Sequence, residues 1–279
     1  MPKRYLHPLA ALFIATLSFQ CLADSRILAT SGATQLEGAA GGGLVPWAVI
    51  AGYGDEGEWG GSLAATRVSV DDFQLDATSI NIGINNRFEM SLSHHNLKVE
   101  PLNLNIRQDI IGLKIKLLGD LIYNSLPQIS SGVQYKRNHD ELVPFLLGAK
   151  DDTGTDYYLS ASKLYLNAIM GRNLLINVTG RWTEANQIGL LGFGGHDNGH
   201  TLQAETSVGL LINRHWVVGM EYRQKPDNLK AVDEDDWQDV FIGWFPNKHL
   251  STVLAYSDLG DIAGLPNQSG WYLSFQLVH

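Results

Sequence analysis

The sequence predicts an all-β fold, a transmembrane antiparallel β-barrel of 14 strands with 12 as the alternative, and three observations carry that expectation. Apolar and polar residues alternate with period two from Trp47 to the C-terminus, the pattern of strands with one oily and one wet face. The alternating stretches have the length of tilted strands that cross a bilayer, about 9 to 12 residues. Trp47, Tyr53, Trp182, Trp216, Tyr222, Trp244, Tyr256 and Trp271 fall near their ends, as the interfacial girdles of membrane barrels require. Third, the connections alternate in length. Short ones at 85–86, 171–173, 213–215 and 246–248 separate long ones at 98–105, 138–154, 184–200, 225–236 and 258–269. A soluble sandwich shares the alternation, but not the aromatic ends or the asymmetry of short periplasmic turns and long outer loops.

The chain opens with Met1-Pro2-Lys3-Arg4, an apolar stretch from Leu9 to Leu17, and Cys21-Leu22-Ala23 before Asp24. A charged start, a short apolar centre and a small residue before the cut mark residues 1–23 as a secretory signal peptide. The stretch is too short for a spanning helix. Residues 24–279 are then the barrel. Cys21, the only cysteine, leaves with the signal, so a disulfide framework is excluded. Phe19 and Gln20 before it do not suit lipid attachment. The formal charge of −9 grows more negative when Lys3 and Arg4 are lost, which argues against an electrostatic grip on nucleic acid.

If the short connections face the periplasm, the stretch 47–53 runs inward and needs a strand before it. Residues 25–36, SRILATSGATQL, are assigned to that strand, with 38–46 as the first outer loop. Clear two-faced strands follow. Phe88, Met90 and Leu92 alternate with Arg87, Glu89 and Ser91, and Ile111, Leu113, Ile115 and Leu117 with Gly112, Lys114 and Lys116. Leu174, Ile176, Val178 and Trp182 alternate with Asn177, Thr179 and Arg181, and Trp216, Val218, Met220 and Tyr222 with Glu221 and Arg223. The faces of 155–168 are ambiguous, and 142–149, LVPFLLGA, reads as a short loop helix or a further strand. In the last strand Gln268, Gly270, Leu273 and Phe275 match the polar, glycine, hydrophobic, aromatic spacing read by the barrel assembly machinery, although His279 replaces the usual terminal aromatic.

Four phrases, EGAAGGGLVPWAVIAGYG, ANQIGLLGFGG, EYRQKPDNL with EDDWQDVF, and NQSGWYLSFQ, resemble the proteobacterial family of outer-membrane proteins called domain of unknown function 3034. The resemblance spans most of the chain after the signal. It implies an outer-membrane protein and carries over no activity, cofactor or site residue.

Candidate sites are therefore weighed on chemistry. The run Gly41-Gly42-Gly43 lacks the lysine and the helix N-terminus of a phosphate loop. Asp233-Glu234-Asp235-Asp236 lacks the spacing of a Ca²⁺ loop and reads as a solvated outer loop. His249 and Ser251 share a strand face, a base and nucleophile spacing found in membrane hydrolases, but at the wrong end of the barrel for outer-leaflet lipid. His94 and His95 point to opposite faces, and His196 and His200 sit among glycines that interrupt any helix. No cofactor and no metal site is expected.

The alternation aims Arg67, Arg87, Glu89, Lys114, Lys116, Lys136, Arg181, Glu205, Glu221, Arg223 and Asp239 inward. Such charges either line a water-filled pore or pair across the lumen and close it. Leu190, Leu191 and Phe193 in the glycine-rich loop GLLGFGG are the candidate gate over the mouth. The expected protein is an outer-membrane, porin-like, non-enzymatic barrel. Its expected partners are outer-membrane lipids, lipopolysaccharide, the barrel assembly machinery and small polar solutes. It is read as a narrow uptake channel, with a closed structural or partner-binding barrel as the alternative.

Overall fold

Twelve antiparallel strands close into one barrel in the computed structural model, which describes residues 26–195, 199–229, 231–232 and 234–279. A small hairpin, β1 (Ala33–Thr34) and β2 (Ala40–Gly41), precedes them. The wall is β3 (Trp59–Val70), β4 (Phe73–Ile84), β5 (Phe88–Val99), β6 (Leu104–Leu118), β7 (Gln128–Asn138) and β8 (Thr153–Ile169), continued by β9 (Arg172–Thr183), β10 (Thr201–Leu211), β11 (Trp216–Arg223), β12 (Trp237–Asn247), β13 (Leu250–Asp258) and β14 (Ser269–Val278). Each strand pairs with its chain neighbours, and β14 pairs with β3 to close the circle.

The count is 12 rather than 14 because the stretches at 25–36 and 47–53 do not enter the wall. Every residue from 30 to 53 is buried, so this segment has no face to offer lipid, and its Gln35 and Glu37 would be unpartnered in hydrocarbon. It lies inside the barrel instead. Trp47 and Tyr53 accordingly belong to the interior and not to a girdle. The segment 142–149 contains a short helix, α1 (Leu142–Leu147), ended by Gly148 in the left-handed conformation. The signal peptide with Cys21, and His196 and Asp233, lie outside the described residues.

The outer surface matches the expectation. Leu63, Ile80, Ile82, Met90, Leu92, Ile111, Leu113, Leu159, Met220, Val240 and Leu273 form an exposed apolar belt. Trp59, Phe88, Trp216 and Trp244 rim one end of it, and Tyr135, Tyr157, Trp182, Tyr222, Tyr256 and Trp271 the other. Trp216 and Trp244, register partners on β11 and β12, stack with ring centroids 5.9 Å apart. Tyr256 meets Trp271 edge-on at 5.4 Å.

One end carries the connections 85–87, 119–127, 170–171, 212–215 and 248–249 together with both chain ends of the wall, and is termed the turn end. The loop end carries 71–72, 100–103, 139–152, 184–200, 224–236 and 259–268. Asn85 and Asn86, with φ of 56° and 47°, supply the two left-handed residues of a tight hairpin turn. Two connections break the expected alternation. The loop end has a two-residue turn at 71–72, and the turn end has a nine-residue connection at 119–127, which Asp120 folds by accepting from the Ile122 and Tyr123 amides at 2.8 and 2.7 Å.

Candidate functional site, a lumen sealed by residues 26–53

The N-terminal segment enters the lumen at the turn end, turns near Glu37, and returns there to join β3. The carbonyl of His279 accepts from Tyr53 and Gly61 at 3.5 and 2.8 Å, tying the exit of this plug to both ends of the wall. Being irregular, its backbone must find partners on the wall, and inward-facing polar side chains supply them. Gln276 on β14 accepts from the Thr34 amide at 2.8 Å, and the Thr34 and Ser62 hydroxyls are 2.8 Å apart. Asn81 on β4 donates to the Gly38 carbonyl at 3.1 Å, and His95 on β5 bonds the Leu36 carbonyl at 2.9 Å. On the opposite side Gln128 and Ser130 of β7 donate to the Ala48 carbonyl at 2.6 and 2.5 Å, and Ser162 of β8 accepts the Ala48 amide at 2.8 Å. Thr179 of β9 donates to the Pro46 carbonyl at 2.9 Å, and the Trp47 indole donates to Ser207 of β10 at 2.9 Å.

Two acidic anchors fix the hairpin more firmly, since hydrogen bonds to charged groups are the stronger kind. Glu89 on β5 accepts the Ala40 and Ala51 amides at 3.0 and 2.9 Å. Lys114 on β6 pairs with Glu89 and donates to the Ala40 and Val49 carbonyls at 2.8 and 3.0 Å. Glu221 on β11 accepts the Gly43 and Leu44 amides at 2.6 and 2.7 Å. This explains the glycine run: a Cβ on Gly42 would lie 2.0 Å from Glu221 Oε1, and only a bare backbone approaches so close.

At the tip of the plug Glu37 sits among three cations. Lys136 on β7 donates to it, Arg223 on β11 at 2.7 Å, and Arg181 on β9 lies 3.4 Å away. Asp156 on β8 and Glu205 on β10 complete the cluster. Lys136 to Asp156 is 2.6 Å, Arg181 to Asp156 3.1 Å, Arg181 to Glu205 2.6 Å and Arg223 to Glu205 3.3 Å. All six are at most 3% exposed. Burial pushes the Glu37 carboxyl up, but Arg181, Arg223 and Lys136 outweigh it and hold the group well below the usual carboxylate range. Three cations face three carboxylates, so the centre is neutral only with Glu37 in place.

Apolar layers flank this polar belt. Leu36 and Leu44 of the plug pack with Val68, Leu75, Leu97 and Trp237 toward the loop end, and Trp47 and Val49 with Leu164, Leu175, Val217 and Val253 toward the turn end. The connection after β9 seals the loop end. Leu190, Leu191 and Phe193 are buried, the Ile188 carbonyl accepts from Lys136 and Gln108 at 3.2 Å, and Asn138 donates to the Leu190 carbonyl at 2.8 Å. Gln187 and Ile188 there have φ of 43° and 58°, a costly left-handed conformation for a β-branched residue. In the next loop Lys225 donates to Gln187 Oε1 at 3.0 Å, while Glu234 accepts the Gln187 amide at 3.2 Å. Burial pushes the Glu234 carboxyl up to about 7 and the Lys225 ammonium down to about 8.

The family described as Protein of unknown function (DUF3034) matches residues 30–276, plug and wall together. The chain belongs to the DUF3034 family. No protein with curated function matches it. Among solved structures, the DUF3034 chain is similar to the KdgM porin, with a TM-score of 0.51 and 11% identity over 77% of this chain and 98% of that one. It is also similar to the NanC porin, with a TM-score of 0.48 and 12% identity over 78% and 98%. The outer-membrane protein Omp33 of Acinetobacter baumannii gives 0.48 and 7% over 78% and 97%. At these identities the first likeness shows the barrel fold alone.

Of the residues that the alternation aims inward, Glu89, Lys114, Lys136, Arg181, Glu205, Glu221, Arg223 and Asp239 are buried in the lumen, and Lys116 is half-buried at the turn-end rim. Arg67 and Arg87 are not. On β3 the inward residues are Ser62, Ala64, Thr66 and Val68, which leaves Arg67 outside, bonded to its register partner Asp76 at 2.6 and 3.0 Å. Arg87 precedes β5 in an exposed turn, its guanidinium 6.0 Å over the Phe88 ring. His249 and Ser251 form no dyad: the histidine bonds the Val278 carbonyl and the serine donates to Gln276. His94 lies outside, 2.7 Å from Asp109, while His95 faces the lumen. Glu37 and Asp156 are the site residues that the alternation misses. Asp156 was recoverable from the row Asp156, Tyr158, Ser160, Ser162, Leu164, which is the buried face of β8.

Proposed function

We propose that the protein is an outer-membrane barrel that is sealed at rest by its own N-terminal segment and admits small polar solutes when that segment moves. The belt of Ser, Thr, Asn, Gln and charged side chains around the plug carries this reading. The wall meets the plug at mid-height through hydrogen bonds and ion pairs, which water can replace, whereas a wall built only as a core would bury apolar side chains there. The girdled apolar exterior and the porin fold support the outer-membrane location, with the turn end toward the periplasm. The apolar layers and the inserted loop with Leu190, Leu191 and Phe193 favour a second reading, a permanently closed barrel whose outer loops bind a partner or lipopolysaccharide.

A disulfide lock separates the two. The Thr34 and Ser62 hydroxyls touch, so Thr34→Cys with Ser62→Cys places two thiols within bonding reach across plug and wall. In planar bilayers the reduced protein is expected to show conductance steps that oxidation abolishes. Absence of steps in both states, with Glu37→Gln equally silent, refutes the channel and leaves the closed barrel.

A further inference from the structure

Ten charged side chains lie in the lumen at 5% exposure or less: Lys114, Lys136, Arg181 and Arg223 against Glu37, Glu89, Asp156, Glu205, Glu221 and Asp239. Glu89 is matched by Lys114, and the Glu37 cluster is balanced within itself. Glu221 and Asp239 remain, directly opposite each other on β11 and β12, with no cation among the described residues to offset either. Two like charges side by side, away from water, require a counter-charge or neutralisation.

The oxygen atoms around them point to what fills that role. Both carboxylate oxygens of Asp239, the Ser257 hydroxyl and the Tyr272 phenol are buried and without a hydrogen-bond partner among the described residues. Native interiors rarely tolerate one such group, and these lie on three neighbouring strands, with the Tyr272 phenol on the side of the Thr66 and Ser274 hydroxyls. Ser257 on β13 is the register partner of Asp239, and Tyr272 on β14 faces inward one pair further along. A Cβ built on Gly43 would lie 3.3 Å from Tyr272 Cζ and 3.4 Å from Glu221 Oε2, so phenol and carboxylate look onto the same spot. Among the described residues, the hydrogen bonds and ion pairs named above between plug and wall fall on strands other than β12 and β13, the sector of Asp239 and Ser257, where Lys248 of the connecting turn lies 5.5 Å over the Tyr53 ring.

We propose that Asp239, Ser257 and Tyr272, with Glu221 completing the charge, bind one hard divalent cation between plug and wall. All donors are oxygen, as Ca²⁺ and Mg²⁺ require, and water supplies the remaining positions of the shell. A divalent ion cancels the two uncompensated charges. It also steadies Glu221, which holds the Gly43 and Leu44 amides, so the cation clamps the plug. No sequence motif marks the site because its ligands come one from each of four consecutive strands.

The test is calorimetric titration of Ca²⁺ into the refolded full chain in detergent micelles free of lipopolysaccharide, with melting curves in Ca²⁺ and in chelator. One ion per chain and a Ca²⁺-dependent rise in melting temperature are expected. Asp239→Asn should abolish both and, in chelator, melt no lower than the wild type, since it removes an uncompensated charge. Ser257→Ala, a small change that keeps the fold, should weaken binding by about tenfold. No binding of Ca²⁺ or Mg²⁺ to the wild type overturns the proposal and leaves protons as the neutralising species. Binding that survives Asp239→Asn but is lost with Asp235→Asn and Asp236→Asn overturns it in favour of the acidic outer loop. These outcomes do not depend on conductance.

Discussion

Replacing Glu37 with Gln should unseat the plug while nearly preserving its shape. The carboxylate is fully buried and meets Lys136, Arg181 and Arg223. An amide in its place leaves three buried cations facing only Asp156 and Glu205, an uncompensated charge away from bulk solvent. Removing one partner from a buried ionic centre costs about 3–5 kcal/mol, and each 1.4 kcal/mol is tenfold, so the ratio of seated to unseated plug should fall by a factor of roughly 10² to 4 × 10³. A cysteine at Thr34, only 1% exposed in the seated state and the single cysteine of the described chain, reports that ratio through its maleimide labelling rate. The expected result is labelling faster by the same factor, because re-seating outpaces labelling and the rate then follows the open population. In bilayers the variant should conduct. Unchanged labelling and silent bilayers would mean that the ion cluster does not hold the plug, and the reasoning would fail.

Two further changes test other parts of the seal. Gly42→Ala should drive Glu221 from its three hydrogen-bonding partners, the Gly43 and Leu44 amides and the Ser207 hydroxyl, or lift the hairpin, because the new Cβ meets the carboxylate at 2.0 Å. It should cost about 1–3 kcal/mol and label a Thr34 cysteine faster, whereas wild-type labelling would show that Glu221 swings away freely. The loop seal should depend on pH through Glu234, whose folded-state value of about 7 lies above the ordinary 4.5. The protonated acid favours docking, so its contribution is full below pH 4.5, is lost as pH rises through 7, and amounts to roughly 3 kcal/mol. Lys225, lowered to about 8, acts in the other direction by favouring docking when neutral, and Asp227 adds a repulsive charge on the acid. Hydrogen exchange at the Gln187 amide should lose protection between pH 5 and 8, and Glu234→Gln should flatten the loss. A wild-type profile that is flat after correction for intrinsic exchange would remove Glu234 from the seal.

The wall was legible because lipid imposes a rule on every outward residue. Met220, Val240, Ile242 and Leu254 must be apolar, and the aromatic partners of Trp216 or Trp271 mark the ends of the span, so strands with intact alternation were found with the right face outward. Reading failed where that rule does not apply. Inward residues answer to whatever fills the lumen, so β8, with Asp156 and Tyr158 beside outward Tyr157, gave no clear face. Residues 30–53 touch no lipid, and their short apolar runs, such as Trp47, Val49 and Ala51, imitate a strand by chance of local burial. The inference that Arg67 points inward failed for a related reason. Beyond the apolar belt, at the loop end, the outer face is again in water and carries charge, so polarity alone no longer distinguishes inside from outside.

Glu37 illustrates a deeper limit. In sequence it is one acid in a glycine-rich stretch, and its meaning lies in cations 99, 144 and 186 residues away. The wall charges were visible, but whether they face water or protein depends on a segment whose own pattern is silent. Geometry settles this for the resting state and also constrains opening. The plug stays joined to β3 through residues 54–58, so once displaced it remains near the turn end at an effective concentration on the order of millimolar. Re-seating is then intramolecular and fast. On the proposed reading, a solute would open the pore by competing for the wall groups that the plug holds, and the densest of these are Lys136, Arg181 and Arg223 around Glu37.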